Sequence, residues 1–335
     1  MKLSKIFIFI SVIFLYTGCT SKSIINDTPT QALKLSTTYD YQLLNNKYEY
    51  ISIDESVNIL KTSDVIFIGE YHGNHASHLL QLQLLHKLFQ LNTKPIILSM
   101  EMFTRDQQII LNNYLNSEIG ERYLIDKAPS WGNYKGSYRP LIEYAKENSI
   151  PVIASNANQD IIRCIGHKGA DYITKLNKEE KFYIAQKPFK KIPGYEEKFF
   201  SYMSKSQDTP TARQQQKFLG QLARDNTMAE SISNTLKESP NFQVIHLNGS
   251  FHSENHLGTV KALKILNPDL DIMVITPIHL EDYVEFLKNK KNNLRKDDIY
   301  YLLNPQPKQY IDTKYRMKKL KEKFAKSKEK AKSCK

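Results

Sequence analysis

Cysteine is scarce in this chain, with three among 335 residues, at positions 19, 164 and 334. No two form a Cys-x-x-Cys pair, which sets aside thiolate zinc sites and dithiol redox centres. The His-Glu-x-x-His sequence of helical zinc proteases is also missing. No internal repeat or coiled-coil heptad appears, so solenoids and rod-like assemblies are not expected. Charge of one sign is less abundant than the formal total of +12 implies. Residues 313–335 hold eleven Lys or Arg against Glu322 and Glu329, a surplus of nine, and the body of the chain is close to neutral. That basic tail has little apolar periodicity and reads as a fraying helix or a disordered, solvated extension. Its functional reading is contact with anionic lipid head groups.

What the chain does have begins at its first residues. Lys2 and Lys5 precede the run Ile6 to Tyr16, apolar except for Ser11 and too short to span a bilayer as a helix. Leu15-Tyr16-Thr17-Gly18-Cys19 follows and resembles a bacterial lipobox, although Tyr16 stands where a smaller aliphatic residue is usual. A signal peptide over 1–18, a lipidated Cys19 and a polar tether over 19–50 are therefore expected; a plain secretory signal is the alternative. Each buried acyl CH₂ contributes about 0.8 kcal/mol, so two or three chains hold a protein on a membrane. The expected location is the cell envelope, at the outer membrane, where nucleic acid is a poor partner. Cys164 lies in an apolar stretch and reads as a buried, inert thiol, while a bond to Cys334 has no support from sequence.

Five short apolar runs recur downstream: Val65–Gly69, Pro95–Met102, Ile150–Ser155, Phe242–Asn248 and Asp271–Pro277. They are continuous rather than alternating, as in strands buried on both faces. Helical patterns separate them, such as the leucines between His75 and Leu91. The expected fold is α/β, a mainly parallel central sheet flanked by helices, over residues 51–290. Two intervals, 103–149 and 158–240, exceed a single crossover and are expected to build a helical cap. Residues 291–335 are expected to form a basic extension.

Ligands of open α/β sheets bind at the carboxyl ends of the strands. The runs end there in Gly69-Glu70-Tyr71-His72, Glu101-Met102, Ser155-Asn156 and Gly249-Ser250-Phe251-His252. Glu70, His72, Glu101 and His252 are thus expected to share one crevice and to offer a divalent-metal or acid–base site. A carboxylate at the end of an apolar strand is costly unless partnered, which singles out Glu101. The same residues could merely hold the structure together. His75 and His78 read as helix-face residues. His252 and His256 have a spacing that can share a metal.

At these residues the chain resembles the ChaN-like haem-binding lipoproteins, within the superfamily that includes Tiki proteases and erythromycin esterases. The resemblance rests on both Gly-x-x-His motifs, Glu101, Trp131 with Tyr138-Arg139-Pro140, Ile153-Ala154-Ser155-Asn156 and Gln221 through Ala229, and it covers residues 60–280. It implies haem binding in iron acquisition, with homodimers holding two haems face to face, and an outer-membrane haem receptor as a further partner. A haem needs an apolar slot, partners for its propionates and an axial ligand such as tyrosinate. Lys181–Met203 supplies seven aromatics and five lysines. Tyr183, Tyr195 and Tyr202 are the candidate iron ligands, and His167 and Lys168 the candidate propionate partners. The competing class is a hydrolase using Glu70, His72, Glu101 and His252, through a metal or a glutamate–histidine pair. A structural envelope protein is the third.

Overall fold

Eight strands hydrogen-bond into one sheet: β1 (Tyr41–Asn45), β2 (Tyr50–Ile51), β3 (Val65–Glu70), β4 (Ile96–Thr104), β5 (Val152–Asn156), β6 (Gln243–Gly249), β7 (Ile272–His279) and β8 (Ile299–Leu303). The computed structural model describes residues 35–128, 131–203, 209–288 and 298–334, so the leader and Cys19 lie outside the described residues. Residues 35–335 cluster as one unit. The spatial order is β2-β1-β8-β7-β3-β6-β4-β5. From β8 to β5 neighbouring strands run parallel, whereas β1 pairs antiparallel with β8 and β2. All five apolar runs of the sequence became parallel strands, and every residue of β3 and β6 is buried. β8 lies beyond the expected domain limit at residue 290, yet it sits between β1 and β7.

The helices are α1 (Ile53–Leu60), α2 (His75–Leu91), α3 (Gln108–Leu115), α4 (Glu121–Lys127), α5 (Tyr134–Ser137), α6 (Arg139–Glu147), α7 (Gln159–Lys168), α8 (Tyr195–Met203), α9 (Ala212–Glu238), α10 (Thr259–Leu266), α11 (Leu280–Lys288) and α12 (Thr313–Ala331). Apolar side chains of α2, α3 and α6 pack on one sheet face, among them Leu84, Leu111 and Ile142 against Leu98 and Ile245. On the other face Tyr195, Phe199, Leu222 and Ile232 of α8 and α9 meet Phe67 and Val244. Both long intervals are thus helical and cover the sheet. Arg105 fixes the second interval to the first, donating to Thr227 O at 3.0 Å and pairing with Glu230 at 3.1 Å. Among the described residues no helix is long and apolar enough to cross a membrane.

The C-terminus departs from its sequence reading. α12 is a regular helix, capped by Asp312, whose Oδ1 accepts from Lys314 N at 2.7 Å. Cys334, just past its end, is disulfide-bonded to Cys164 of α7. Cys164 is therefore buried but is not a free thiol. The pairing arises because α12 comes back onto α7, placing the two Cα atoms 5.5 Å apart across 170 residues of chain.

Candidate functional site

Four adjacent strands, β3, β6, β4 and β5, end together, and the chain passes from β3 to β4 across β6. This leaves a crevice at their carboxyl ends, the usual ligand position in an open α/β sheet. Glu70 closes β3 and is buried. Its Oε1 accepts from Tyr138 Oη at 2.6 Å and lies 2.9 Å from His72 Nδ1; its Oε2 accepts from Gln81 Nε2 at 2.7 Å. His78 Nδ1 stands 3.5 Å from Oε2. Both oxygens are thus fully engaged, which is how a buried carboxylate is tolerated.

The two Gly-x-x-His motifs dovetail. β3 and β6 pair so that Glu70 opposes Gly249. A Cβ on Gly249 would stand 2.6 Å from Cε1 and Nε2 of His72, so the first motif's imidazole lies on the second motif's glycine. Conversely, a Cβ on Gly69 would meet Ser250 Cα at 3.1 Å. Each glycine makes room for the other motif. The second turn also needs Gly258, whose φ is +57° and whose added Cβ would strike His252 O at 2.5 Å.

Glu101, near the end of β4, accepts from Gly249 N at 2.7 Å through Oε2, and its Oε1 lies 3.5 Å from His252 Nε2. The other face of His252 is held by Asp225 of α9, with Nδ1 2.8 Å from Oδ1. Thr259 donates to the same oxygen at 2.7 Å. Asn156, ending β5, donates to Glu101 O at 3.0 Å. The crevice therefore brings Glu70, His72, Glu101 and His252 together as two opposed carboxylate–imidazole pairs. His72 is the outermost, its side chain 45% exposed, with Trp131 edge-on at 4.3 Å. Such pairs can take up and return a proton to a ligand resting above them.

The expected divalent metal is not supported. Among the described residues no group of three His, Cys, Asp or Glu side chains is placed to hold an ion. The reason is visible in the bonding: Glu70 is engaged by Tyr138, Gln81 and His72, and Glu101 by the Gly249 amide. His256 does not join His252; it turns to Asp298, 3.1 Å away.

Electrostatics of the pairs carry a pH dependence. Burial pushes Glu70 up, but His78, His72 and Tyr138 outweigh it and hold its carboxyl below the ordinary 4.5. Burial pushes His252 down, but Asp225 and Glu101 outweigh it and raise the imidazole above 6.5. His72 is raised likewise, since its bond to Glu70 and the charge of Glu101 outweigh burial. The raised imidazoles contribute stability fully below pH 6.5 and lose it as pH rises through their folded values. Glu70 contributes above 4.5 and loses it as pH falls through its depressed folded value. The melting midpoint should therefore decline on the alkaline side, and His252→Gln should flatten that decline. An identical alkaline slope in wild type and variant would refute this account. His246, deep under the crevice, is pushed by burial down to about 3 and bonds Ser99 Oγ at 2.9 Å, so it is a neutral core residue.

The haem-directed candidates scatter. Tyr195 is fully buried, its hydroxyl accepts from Gln221 at 3.1 Å, and burial holds it far above the ordinary phenol value. It is a core residue, with no open coordination position for an iron. Tyr183 donates to Glu179 at 2.7 Å. Tyr202, on the last turn of α8, is 78% exposed and rests on Phe251, centroids 5.3 Å apart. His167 and Lys168 end α7 and are exposed; His167 borders a cavity of about 630 Å³ with Arg213, Lys217, Phe324 and Lys328. The insertion's Phe189, Tyr195, Phe199 and Phe200 pack against Phe218 and Phe251 rather than lining a slot.

Sequence reasoning assigned no role to Gln81, Tyr138, Arg224, Asp225 or Thr259. Asp225 had one legible signal, its place in the Gln221–Ala229 segment that carries the family resemblance.

Residues 56–263 match the family described as haem-binding uptake, Tiki superfamily, ChaN. Among solved structures, the chain is similar to one of cofacial heme binding to ChaN of Campylobacter jejuni, with TM-score 0.60 and 16% identity over 79% of this chain and 98% of that one. An erythromycin esterase variant in its open conformation gives TM-score 0.44 at 10% identity, over 72% of this chain and 77% of that one. The type III effector HopBA1 gives 0.45 at 12%, over 81% and 100%. No curated protein matches the chain. Since the matched segment exceeds half the sequence and holds both Gly-x-x-His motifs, Glu101 and Asp225, the chain belongs to the ChaN haem-binding uptake family of the Tiki superfamily.

Proposed function

We propose that this protein is a haem-binding lipoprotein of the bacterial cell envelope that serves iron acquisition, with haem ligated by Tyr202. The family match over residues 56–263 carries the reading. The donor chemistry fits. Among the described residues the Tyr202 hydroxyl has no hydrogen-bond partner, unlike those of Tyr183 and Tyr195. Its ring stands on Phe251, beside the exposed Met203, which gives a macrocycle an apolar platform. A phenolate is a recognised axial ligand of haem iron. Bound haem supplies a ferric centre for that oxygen and two carboxylates for cationic side chains.

An open patch covers only one face of a planar ligand. A second copy of the chain would cover the other, which couples haem binding to homodimerisation; the Campylobacter jejuni protein binds heme cofacially. Export is supported by the Cys164–Cys334 bond, because cytosolic thiols are kept reduced. Lipidation at Cys19 would keep the protein at the membrane, near an outer-membrane haem receptor that delivers or takes up the ligand. Titrating ferric haem into the purified full chain, followed by absorbance and sedimentation, tests the reading. Saturable binding with a tyrosinate charge-transfer band and a shift from monomer to dimer is expected. A chain that leaves haem free at micromolar concentrations would overturn it.

A further inference from the structure

We propose that the crevice beside Glu101 is a binding site for an oxyanion group, a carboxylate or a phosphate, and that the disulfide-tethered C-terminal helix completes it. A cavity of about 320 Å³ opens there, bordered by Glu101, Trp131, Arg224, Arg163, Lys127 and Lys330. Four cations thus face one small space together with the carboxylates of Glu101, Asp106 and Asp160; Arg163 pairs with Asp160, whereas Arg224 and Lys330 are poorly matched within the protein. Arg224 Nη1 reaches Asn156 Oδ1 only at 3.5 Å, the long limit of a hydrogen bond, and the guanidinium makes no other bond among the described residues. Its carboxylate neighbours Glu101 and Asp225 act on it through charge without a hydrogen bond, Glu101 Oε2 accepting from Gly249 N and Asp225 Oδ1 being held by His252 and Thr259. A half-buried guanidinium with most of its five donors unused is matched by a planar, bidentate acceptor. Lys330 has no ion-pair partner among the described residues, whereas its neighbour Lys332 pairs with Glu329.

The second cation arrives through covalent chemistry. Lys330 lies four residues before Cys334, about one helical turn. Cys334 is bonded to Cys164, the neighbour of Arg163 on α7. The bond therefore fixes α12 where Lys330 meets the mouth of the cavity. The space is too small to enclose a macrocycle, and its residues are not those of the Tyr202 platform. The site stands or falls separately from haem binding at Tyr202.

Trp131 is the only tryptophan of the chain and lines the cavity, so its fluorescence reports occupancy directly. Inorganic phosphate and succinate, each titrated into the full-length protein against chloride at matched ionic strength, separate phosphoryl from carboxylate ligands. A saturable change with at least one of them, absent with chloride, is expected. Arg224→Gln should weaken it tenfold or more, roughly the loss of one charge-assisted bidentate contact. Lys330→Gln and Cys334→Ser should each weaken it by about threefold to tenfold, and their combination by no more than either alone. Should Arg224→Gln fail to fold, Lys330→Gln, on the exposed side of α12, decides the matter alone. No saturable response beyond chloride, or equal affinity in wild type and Lys330→Gln, would overturn the site.

Discussion

Cys334→Ser should lower the melting midpoint of the protein by on the order of 10 °C and expose α12 to trypsin. The reason lies in the span of the cross-link. Cys164 and Cys334 are 170 residues apart, and closing a loop of that length removes about 5 kcal/mol of entropy from the unfolded chain. The native state also loses the anchor of α12. Few side chains hold that helix otherwise: Ala331 packs beside Cys334 against the α7 cluster, while Met317 and Phe324 remain about half exposed. Its lysines give trypsin many sites once it lifts away. Two measurements separate the effects: the melting midpoint reads the whole fold, and the rate of clipping within residues 313–335 reads the helix alone. Equal midpoints and equal clipping rates in oxidised wild type and Cys334→Ser would mean that the bond neither closes the loop entropically nor positions α12.

Much of the sheet was legible because burial on both faces leaves a simple trace. Val65–Gly69 is an unbroken apolar run and Phe242–Asn248 a mostly apolar one, and they became the paired centre of the sheet. β8, five residues long and rich in tyrosine, left a weaker trace. Tyr301 is buried all the same, donating to Gly69 O at 2.7 Å, so a strand remote in sequence holds the first motif from behind. Glu70 and Glu101 were legible as site residues for a reason of energy, since a carboxylate ending a buried strand must be compensated. Their imidazole partners His72 and His252 were legible too, but the side chains that hold these pairs in place were not. Tyr138 lies in the turn between α5 and α6, and Asp225, which holds His252, projects from α9; both placements depend on tertiary packing, and nothing in local periodicity says which strand end they reach. The same limit hid the disulfide, because the path of α12 back to α7 is a property of the folded chain. The dense aromatics of Lys181–Met203 could be read in two ways. Such density equally serves a ligand slot or a core, and Tyr195, Phe199 and Phe200 joined the core beneath α8.

That division among the aromatics decides what tyrosine substitution should do. Tyr202→Phe keeps the ring on Phe251 and removes only the exposed oxygen. It should abolish the tyrosinate charge-transfer band and weaken haem binding by about tenfold or more, as loss of an axial ligand demands. The melting midpoint should hardly move, because an exposed hydroxyl without a partner contributes little to folding. Tyr195→Phe should show the reverse. Its oxygen is buried against Gln221, with burial and the nearby Asp225 opposing ionisation, so removing it leaves Gln221 without that acceptor. A loss of about 1–3 kcal/mol in stability is expected there, with the haem spectrum intact. Tyr183→Phe removes an exposed bond to Glu179 and should change neither reading by much. Two readouts crossed against three variants thus distinguish ligation from packing. If Tyr202→Phe keeps the full charge-transfer band while Tyr183→Phe loses it, the iron sits at Tyr183, beside Glu179, instead. If all three variants keep the band, the ligand lies outside α8 and its flanking segment, and the Phe251 platform is not the haem site.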